Sequence, residues 1–110
     1  MIEAAAGHSM QDIDALVSRS ATPVLLDCFT PGCGPCAALS PVLDELAIEM
    51  DGTLVVEKVD VAANPDVAKR FGVRTVPSLL RFKKGKLAAT RGGAASRSQL
   101  LTWLSANGAV

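Results

Sequence analysis

Four short runs of apolar residues along the chain have the length of β-strands. The first run, at 24–29, is apolar at every position except Asp27, which is typical of a strand buried on both faces. The second run covers 54–61, and the third and fourth, at 78–82 and 87–91, flank a turn rich in lysine and glycine. The shortness of that turn predicts that the last two strands pair antiparallel.

Apolar residues repeat with a helical period in the segments around these runs. They predict helices at about 9–19, 35–50, 65–71 and 96–107. The first and last of these helices begin with a serine that is followed three residues later by an acidic or amide residue, as in capping pairs. Pro41 lies inside the second helix and predicts a kink there.

The order of the predicted elements indicates an α/β fold. A strand, a helix and a second strand form a parallel βαβ unit, and the last two strands form an antiparallel pair, so we expect a mixed central sheet. Residues 3–7 read Glu-Ala-Ala-Ala-Gly, a poor strand former, and we expect 1–8 to be loose or to form a weak first strand. A length of 110 residues with 49% apolar residues suits one domain over 1–110.

Charge and cysteine content narrow the possible functions. The formal net charge is zero, which argues against nucleic acid or an anionic membrane as a partner. No apolar stretch approaches the ~20 residues of a membrane span, and no basic segment precedes an apolar run at the N-terminus, so we expect no secretory signal. Three clustered cysteines, at 28, 33 and 36, are unlike a secreted disulfide framework and suit a reducing compartment, so we expect a cytoplasmic protein.

The run Gly32-Cys33-Gly34-Pro35-Cys36 carries the candidate chemistry. Two thiols separated by a turn can form a short-range disulfide. Cys33 lies just ahead of a predicted helix N-terminus, whose free N–H groups and dipole stabilise an anion, and the thiolate is the attacking species. Cys36 lies in the first helical turn, where it would attack a mixed disulfide and release the partner.

The cysteine pattern is also compatible with two other uses. A structural zinc site needs two further ligands, and only Cys28 and His8 have the matching type. Buried, inert core cysteines are the second alternative. For Cys28 alone, the favoured interpretation is a small apolar residue within the strand.

Three more features are each open to two interpretations. Asp27 within an apolar strand is either buried, which would raise its pKa toward the range of a general acid or base, or solvated at a strand end. Lys58 on the adjacent strand could reach it, although an exposed lysine is more common. The Val76-Pro77 pair fits either an edge strand or a cis turn.

With these residues assembled, the chain resembles the thioredoxin family over about residues 10–108. The resemblance rests on an ordered set of positions and not on the cysteine motif alone. The set comprises Asp27, Cys33-Gly34-Pro35-Cys36, Pro41, Lys58-Val59-Asp60, Asn64-Pro65, Phe71-Gly72-Val73, Val76-Pro77-Ser78, Phe82-Lys83-Lys84-Gly85 and Gly93. It implies a thioredoxin fold, with a central mixed sheet of four or five strands flanked by about four helices.

The resemblance also implies roles. Cys33 would be the nucleophile and Cys36 the resolving thiol, with Asp27 buried behind Cys36 to move its proton and Lys58 modulating that carboxylate. Pro77 would be cis and face the dithiol. The implied contact surface for a substrate chain comprises Gly32, Gly34, Pro35, Val76, Pro77 and Gly93. Within it, the backbone of Val76 would pair with an extended segment of the substrate.

The activity implied is protein-disulfide reduction, with disulfide-containing proteins and a thioredoxin reductase as partners. We expect no cofactor besides the Cys33–Cys36 disulfide, since NADPH would act only through the reductase, and no metal. We also expect a monomer. Gly32 stands where the family usually has tryptophan, and this motivates an alternative function, a redox-regulated binding module with restricted partners.

Overall fold

A computed structural model describes residues 9–106 of the chain. Within this range, four helices and four strands follow one another in the order predicted. They are α1 (Met10–Arg19), β1 (Val24–Phe29), α2 (Gly34–Glu49), β2 (Val55–Asp60), α3 (Pro65–Phe71), β3 (Ser78–Lys83), β4 (Lys86–Gly92) and α4 (Arg97–Ala106). The possible strand before residue 9, and the expected end of the last helix near residue 107, lie outside the described residues.

The strands of the described region form one mixed sheet in the order β2-β1-β3-β4. β1 is parallel to β2 and antiparallel to β3, and β3 is antiparallel to β4. The parallel pair is the predicted βαβ unit, since α2 connects its two strands. The sheet and the four helices confirm the predicted fold class.

Alternation of side chains along each strand divides the core into two layers. One layer lies under α2 and α4 and includes Leu25, Leu43, Leu79 and Leu104. The other lies under α1 and α3 and includes Ile13, Leu26, Val67 and Leu80. Asp27 projects into the first layer, because it alternates with Leu26 and Cys28 of the second.

The termini of the helices follow from their capping residues. At the start of α1 the Asp12 backbone N–H donates to Ser9 Oγ at 3.2 Å, and the Ser9 backbone N–H donates to the Asp12 carboxylate at 3.0 Å. These two bonds form the predicted capping box. α2 begins directly after Cys33 and continues through Pro41 to Glu49.

Arg81 is a buried cation that the sequence pattern did not reveal. It lies in the inner strand β3, opposite Leu25 of β1, and is only 1% exposed. Its Nε and Nη2 atoms have no hydrogen-bond partner within residues 9–106. A buried cation whose donors lack partners is costly, so we expect this residue to lower the stability of the fold.

Candidate active site

The dithiol lies where β1 passes into α2. β1 ends at Phe29, and a short loop turns the chain, with Gly32 at a φ of +77°. A positive φ of this size is strained for any residue with a Cβ, so glycine suits this turn. Cys33 and Cys36 are joined in a disulfide with their Cα atoms 5.2 Å apart. The structure therefore represents the oxidised form of the pair.

The two cysteines differ in access and in their contacts with the helix. Cys33 is the N-cap of α2 and partly exposed, whereas Cys36 lies inside the first turn and is 5% exposed. The backbone N–H of Cys36 donates to Cys33 Sγ at 3.1 Å. Such a donor at a helix N-terminus favours negative charge on sulfur. Of the two sulfurs, that of Cys33 is thus the more accessible one and the one that accepts this donor.

Asp27 is buried behind the dithiol and not solvated at a strand end. The residue is 1% exposed, and its Oδ1 atom has no hydrogen-bond partner within residues 9–106. Burial raises the pKa of Asp27 from 3.8 to about 6, while the positive charge of Lys58 acts in the opposite direction. Asp27 lines a pocket of about 270 Å³ together with Gly32, Cys33, Cys36, Ser40 and Lys58.

Lys58 lies opposite Asp27 in the parallel register of β1 and β2. Its side chain is only 12% exposed, and its Nζ donates to Ser40 Oγ and, at 2.8 Å, to Asp44 Oδ1. The sequence interpretation missed both of these acceptors. The available signal was their spacing, because they follow Cys36 by four and eight residues and so share its face of the helix.

The predicted substrate-contact residues at 76, 77 and 93 lie close to one another near the dithiol. The Val76–Pro77 peptide bond is cis, and the Val76 carbonyl oxygen lies 4.0 Å from Cys33 Sγ. The Gly93 backbone N–H donates to the Pro77 carbonyl at 2.9 Å. Gly93 has a φ of +84°. Of these three predicted substrate-contact residues, Val76 lies next to the outer sulfur and Gly93 is exposed, whereas Pro77 is buried.

Comparison with known proteins identifies the family. The thioredoxin family model matches residues 5–106. The chain belongs to the thioredoxin family. It is 42% identical over 93 residues to the thioredoxin of Haemophilus influenzae, an alignment that covers 84% of this chain and 87% of that protein. It is 44% identical over 91 residues to the thioredoxin of Pseudomonas aeruginosa, covering 83% and 84%. Thioredoxin C-2 of Corynebacterium nephridii is 40% identical over 97 residues, covering 88% and 90%.

Thioredoxin-family membership and a cysteine pair at disulfide distance make this chain a thiol–disulfide oxidoreductase. Membership implies protein-disulfide reductase activity, with protein disulfides as substrates and a thioredoxin reductase as partner. No helix within residues 9–106 is long and apolar enough to cross a membrane.

Cys28 is separate from this thioredoxin-type site. It is fully buried on the opposite face of the sheet from Asp27, in the layer under α1 and α3. Burial, and to a lesser extent the negative charge of Asp27, raise the pKa of Cys28 to about 12. Its thiol therefore stays protonated and behaves as an apolar core group.

The zinc alternative gains nothing from the geometry. Across the described part of the chain, no three His, Cys, Asp or Glu side chains are grouped so that they could hold a metal ion. The remaining candidate ligand, His8, lies outside the described residues.

Proposed function

We propose that this chain reduces protein disulfides with Cys33 as the nucleophile and Cys36 as the resolving thiol. The Cys33 thiolate attacks one sulfur of the substrate disulfide. A Cys33–substrate bond forms, the substrate S–S bond breaks, and the second substrate sulfur leaves as a thiolate. The observation that carries this order is the difference in access between the two cysteines. Cys33 is the one that is partly exposed and whose Sγ accepts a backbone N–H.

The second step uses the pocket behind the dithiol. The Cys36 thiol gives its proton to the Asp27 carboxylate, and the Cys36 sulfur attacks Cys33 Sγ. The Cys33–Cys36 disulfide forms, the mixed disulfide breaks, and the first substrate sulfur leaves and takes up a proton. Two electrons have then passed to the substrate. A pKa of about 6 suits Asp27 for this transfer, because a general base works best when its pKa lies near the working pH.

Substrate binding is proposed for the surface around Cys33. It comprises the exposed Gly32, Gly34 and Pro35 on one side and Val76, Pro77 and Gly93 on the other. An extended substrate segment would pair with the backbone at Val76, whose carbonyl lies beside Cys33 Sγ. Gly93 has no Cβ and lets the substrate backbone approach.

Recycling is proposed through a thioredoxin reductase that draws on NADPH, so that the chain itself needs no cofactor beyond its disulfide. We further propose that it works as a single-domain monomer in the cytoplasm, in keeping with its clustered, partly free cysteines. A reduction potential near the ~−270 mV of a thioredoxin, and not near ~−120 mV, is expected of such a reductant.

Insulin reduction coupled to NADPH oxidation by a thioredoxin reductase tests the proposal. The native chain is expected to complete many turnovers, and Cys33→Ser none. Activity that persists in Cys33→Ser would overturn the assignment of the nucleophile.

Gly32 favours a second candidate, the redox-regulated binding module, because the partner surface lacks an aromatic side chain there. A single turnover without recycling by any such reductase would support that candidate.

A further inference from the structure

The Lys58 ammonium lies in the same pocket as Asp27 but has its hydrogen bonds elsewhere. Two of its three N–H donors go to Ser40 Oγ and Asp44 Oδ1, both on α2. Asp27 Oδ1, by contrast, is buried and has no hydrogen-bond partner in the described region. The positive charge of Lys58 could pair with this carboxylate, but hydrogen bonds to Ser40 and Asp44 hold it beside the carboxylate instead.

This arrangement matters for the proposed proton transfer. A hydrogen-bonded ion pair between Lys58 and Asp27 would favour the carboxylate and lower its affinity for the Cys36 proton. A lysine that swung fully into solvent would leave the buried carboxylate with no compensating charge. Holding the ammonium nearby but unpaired with Oδ1 gives Asp27 an intermediate proton affinity.

We propose that Ser40 and Asp44 are positioning residues, which tether the Lys58 ammonium to α2 so that it lies near Asp27 without pairing with it. The inference rests on the proposed function, in which Asp27 exchanges the Cys36 proton. The tether spans the rim of the pocket, because the Asp44 side chain is 51% exposed and that of Lys58 only 12%. Ser40 and Asp44 can both reach Lys58 because they are four residues apart on one helix face.

Several other charged or titratable groups lie on the same side of the sheet as Asp27. Asp60 lies further along the same face of β2, and its carboxylate accepts the backbone N–H groups of Ala62 and Ala63. Arg81 lies on this face of β3, opposite Leu25. The remaining titratable and charged groups on this side of the sheet are Cys33 and Cys36, which line the pocket with Asp27, and Asp44 on α2.

Titration of the Asp27 carboxyl by NMR in the oxidised protein tests the tether. Ser40→Ala removes one acceptor without changing any charge, and Ser40→Ala with Asp44→Ala removes both. The released ammonium is expected to pair with Asp27, since Oδ1 is the unpartnered acceptor in the pocket. The titration midpoint of Asp27 should then fall by about one pH unit in the double variant and in the same direction, by less, in Ser40→Ala.

Matched controls separate the tether from simple loss of charge. Glu45→Gln removes one negative charge from the neighbouring position of α2, and its effect gives the long-range contribution. Ser40→Thr keeps a hydroxyl and should retain the parent midpoint. A midpoint in the double variant that rises, or that falls no further than in Glu45→Gln, would overturn the proposal.

The tether and the proposed role of Asp27 can fail separately. The rate at which Cys36 resolves a mixed disulfide, followed against pH, should shift its midpoint in parallel with the NMR titration. A shifted NMR midpoint with an unshifted rate profile would keep the tether and remove Asp27 from the proton transfer. An Asp27→Asn variant that resolves slowly, combined with unshifted midpoints in the tether variants, would keep the proposed function and remove the tether.

Discussion

The backbone N–H of Cys36 donates to Cys33 Sγ across 3.1 Å, so the second cysteine of the pair helps to hold negative charge on the first. The contact exists because Cys33 is the N-cap of α2 and Cys36 is the third residue of that helix. One local helix start therefore provides both the proposed nucleophile, which is partly exposed, and a donor that would stabilise its thiolate.

The buried carboxyl of Asp27 predicts a pH-dependent loss of stability. Its pKa is about 6 in the folded protein and 3.8 when unperturbed, so between these values the folded state holds a proton that the unfolded chain has lost. The free energy of unfolding of the oxidised protein therefore falls as pH rises from about 3.8 to 6. At pH above this window the free energy of unfolding is lower by about 3 kcal/mol, from ~1.4 kcal/mol per pKa unit.

Asp27→Asn should remove that cost. We expect the variant to be more stable than the parent by up to about 3 kcal/mol in urea unfolding near neutral pH, with the difference vanishing at acid pH. Asp51→Asn, at an exposed turn position, serves as the control, and its stability relative to the parent should not change with pH in this way. Equal stabilities of Asp27→Asn and parent across the whole pH range would contradict the assignment.

Arg81 predicts a second stabilising substitution. Its guanidinium is charged, 1% exposed, and has two nitrogen atoms without partners in residues 9–106. Arg81→Met keeps a long flexible side chain and removes the desolvated charge, so the free energy of unfolding should rise by about 1–3 kcal/mol. Arg74→Met, at an exposed position, should change it by less than about 0.5 kcal/mol. A clear loss of stability in Arg81→Met would mean that the guanidinium has a partner.

Gly32 and Gly34 form a matched pair on either side of Cys33. A Cβ added at either position meets nothing within 4 Å, but only Gly32 has a positive φ, of +77°. Gly32→Ala should therefore lower the free energy of unfolding of the oxidised protein by about 1–2 kcal/mol through backbone strain. Gly34→Ala, at the start of α2, should leave it unchanged or slightly higher. Equal effects of the two substitutions would show that the backbone conformation at 32 is not as described.

Cys28 is expected to be inert in the native protein. It is fully buried, and its pKa is about 12, so almost no thiolate is available near neutral pH. Alkylation of the reduced protein with iodoacetamide, followed by peptide mass spectrometry, should label Cys33 rapidly and Cys28 only after denaturation. Native-state labelling of Cys28 at a rate comparable to that of Cys33 would refute this.

The sequence predicted the elements of the site because their signals are local. The apolar run around Asp27 identified β1, and the glycine, proline and cysteine pattern identified the turn into α2. Whether Asp27 was buried depended on what covers that face of the sheet, and the residue pattern left this open. Packing of α2 over β1 settles the matter, with Asp27 1% exposed.

Two features escaped prediction because they depend on long-range packing. Lys58 meets Ser40 and Asp44 only when β2 and α2 are brought together. The spacing along α2 puts both acceptors on the helix face of Cys36, but it does not show that Lys58 reaches them. Arg81 interrupts the apolar run of β3, and an arginine in a strand is ordinarily expected to reach solvent. Its burial follows from the inner position of β3 between β1 and β4.

Trapping of the mixed disulfide tests the central assignment most directly. Reduced Cys36→Ser is mixed with a protein disulfide such as that of insulin, and the covalent product is mapped by mass spectrometry without reducing agent. The proposed order of attack predicts a stable adduct through Cys33, because the resolving thiol is absent. Reduced Cys33→Ser should form no comparable adduct through Cys36, which is buried. An adduct through Cys36 that forms as fast as the one through Cys33 would contradict the assignment.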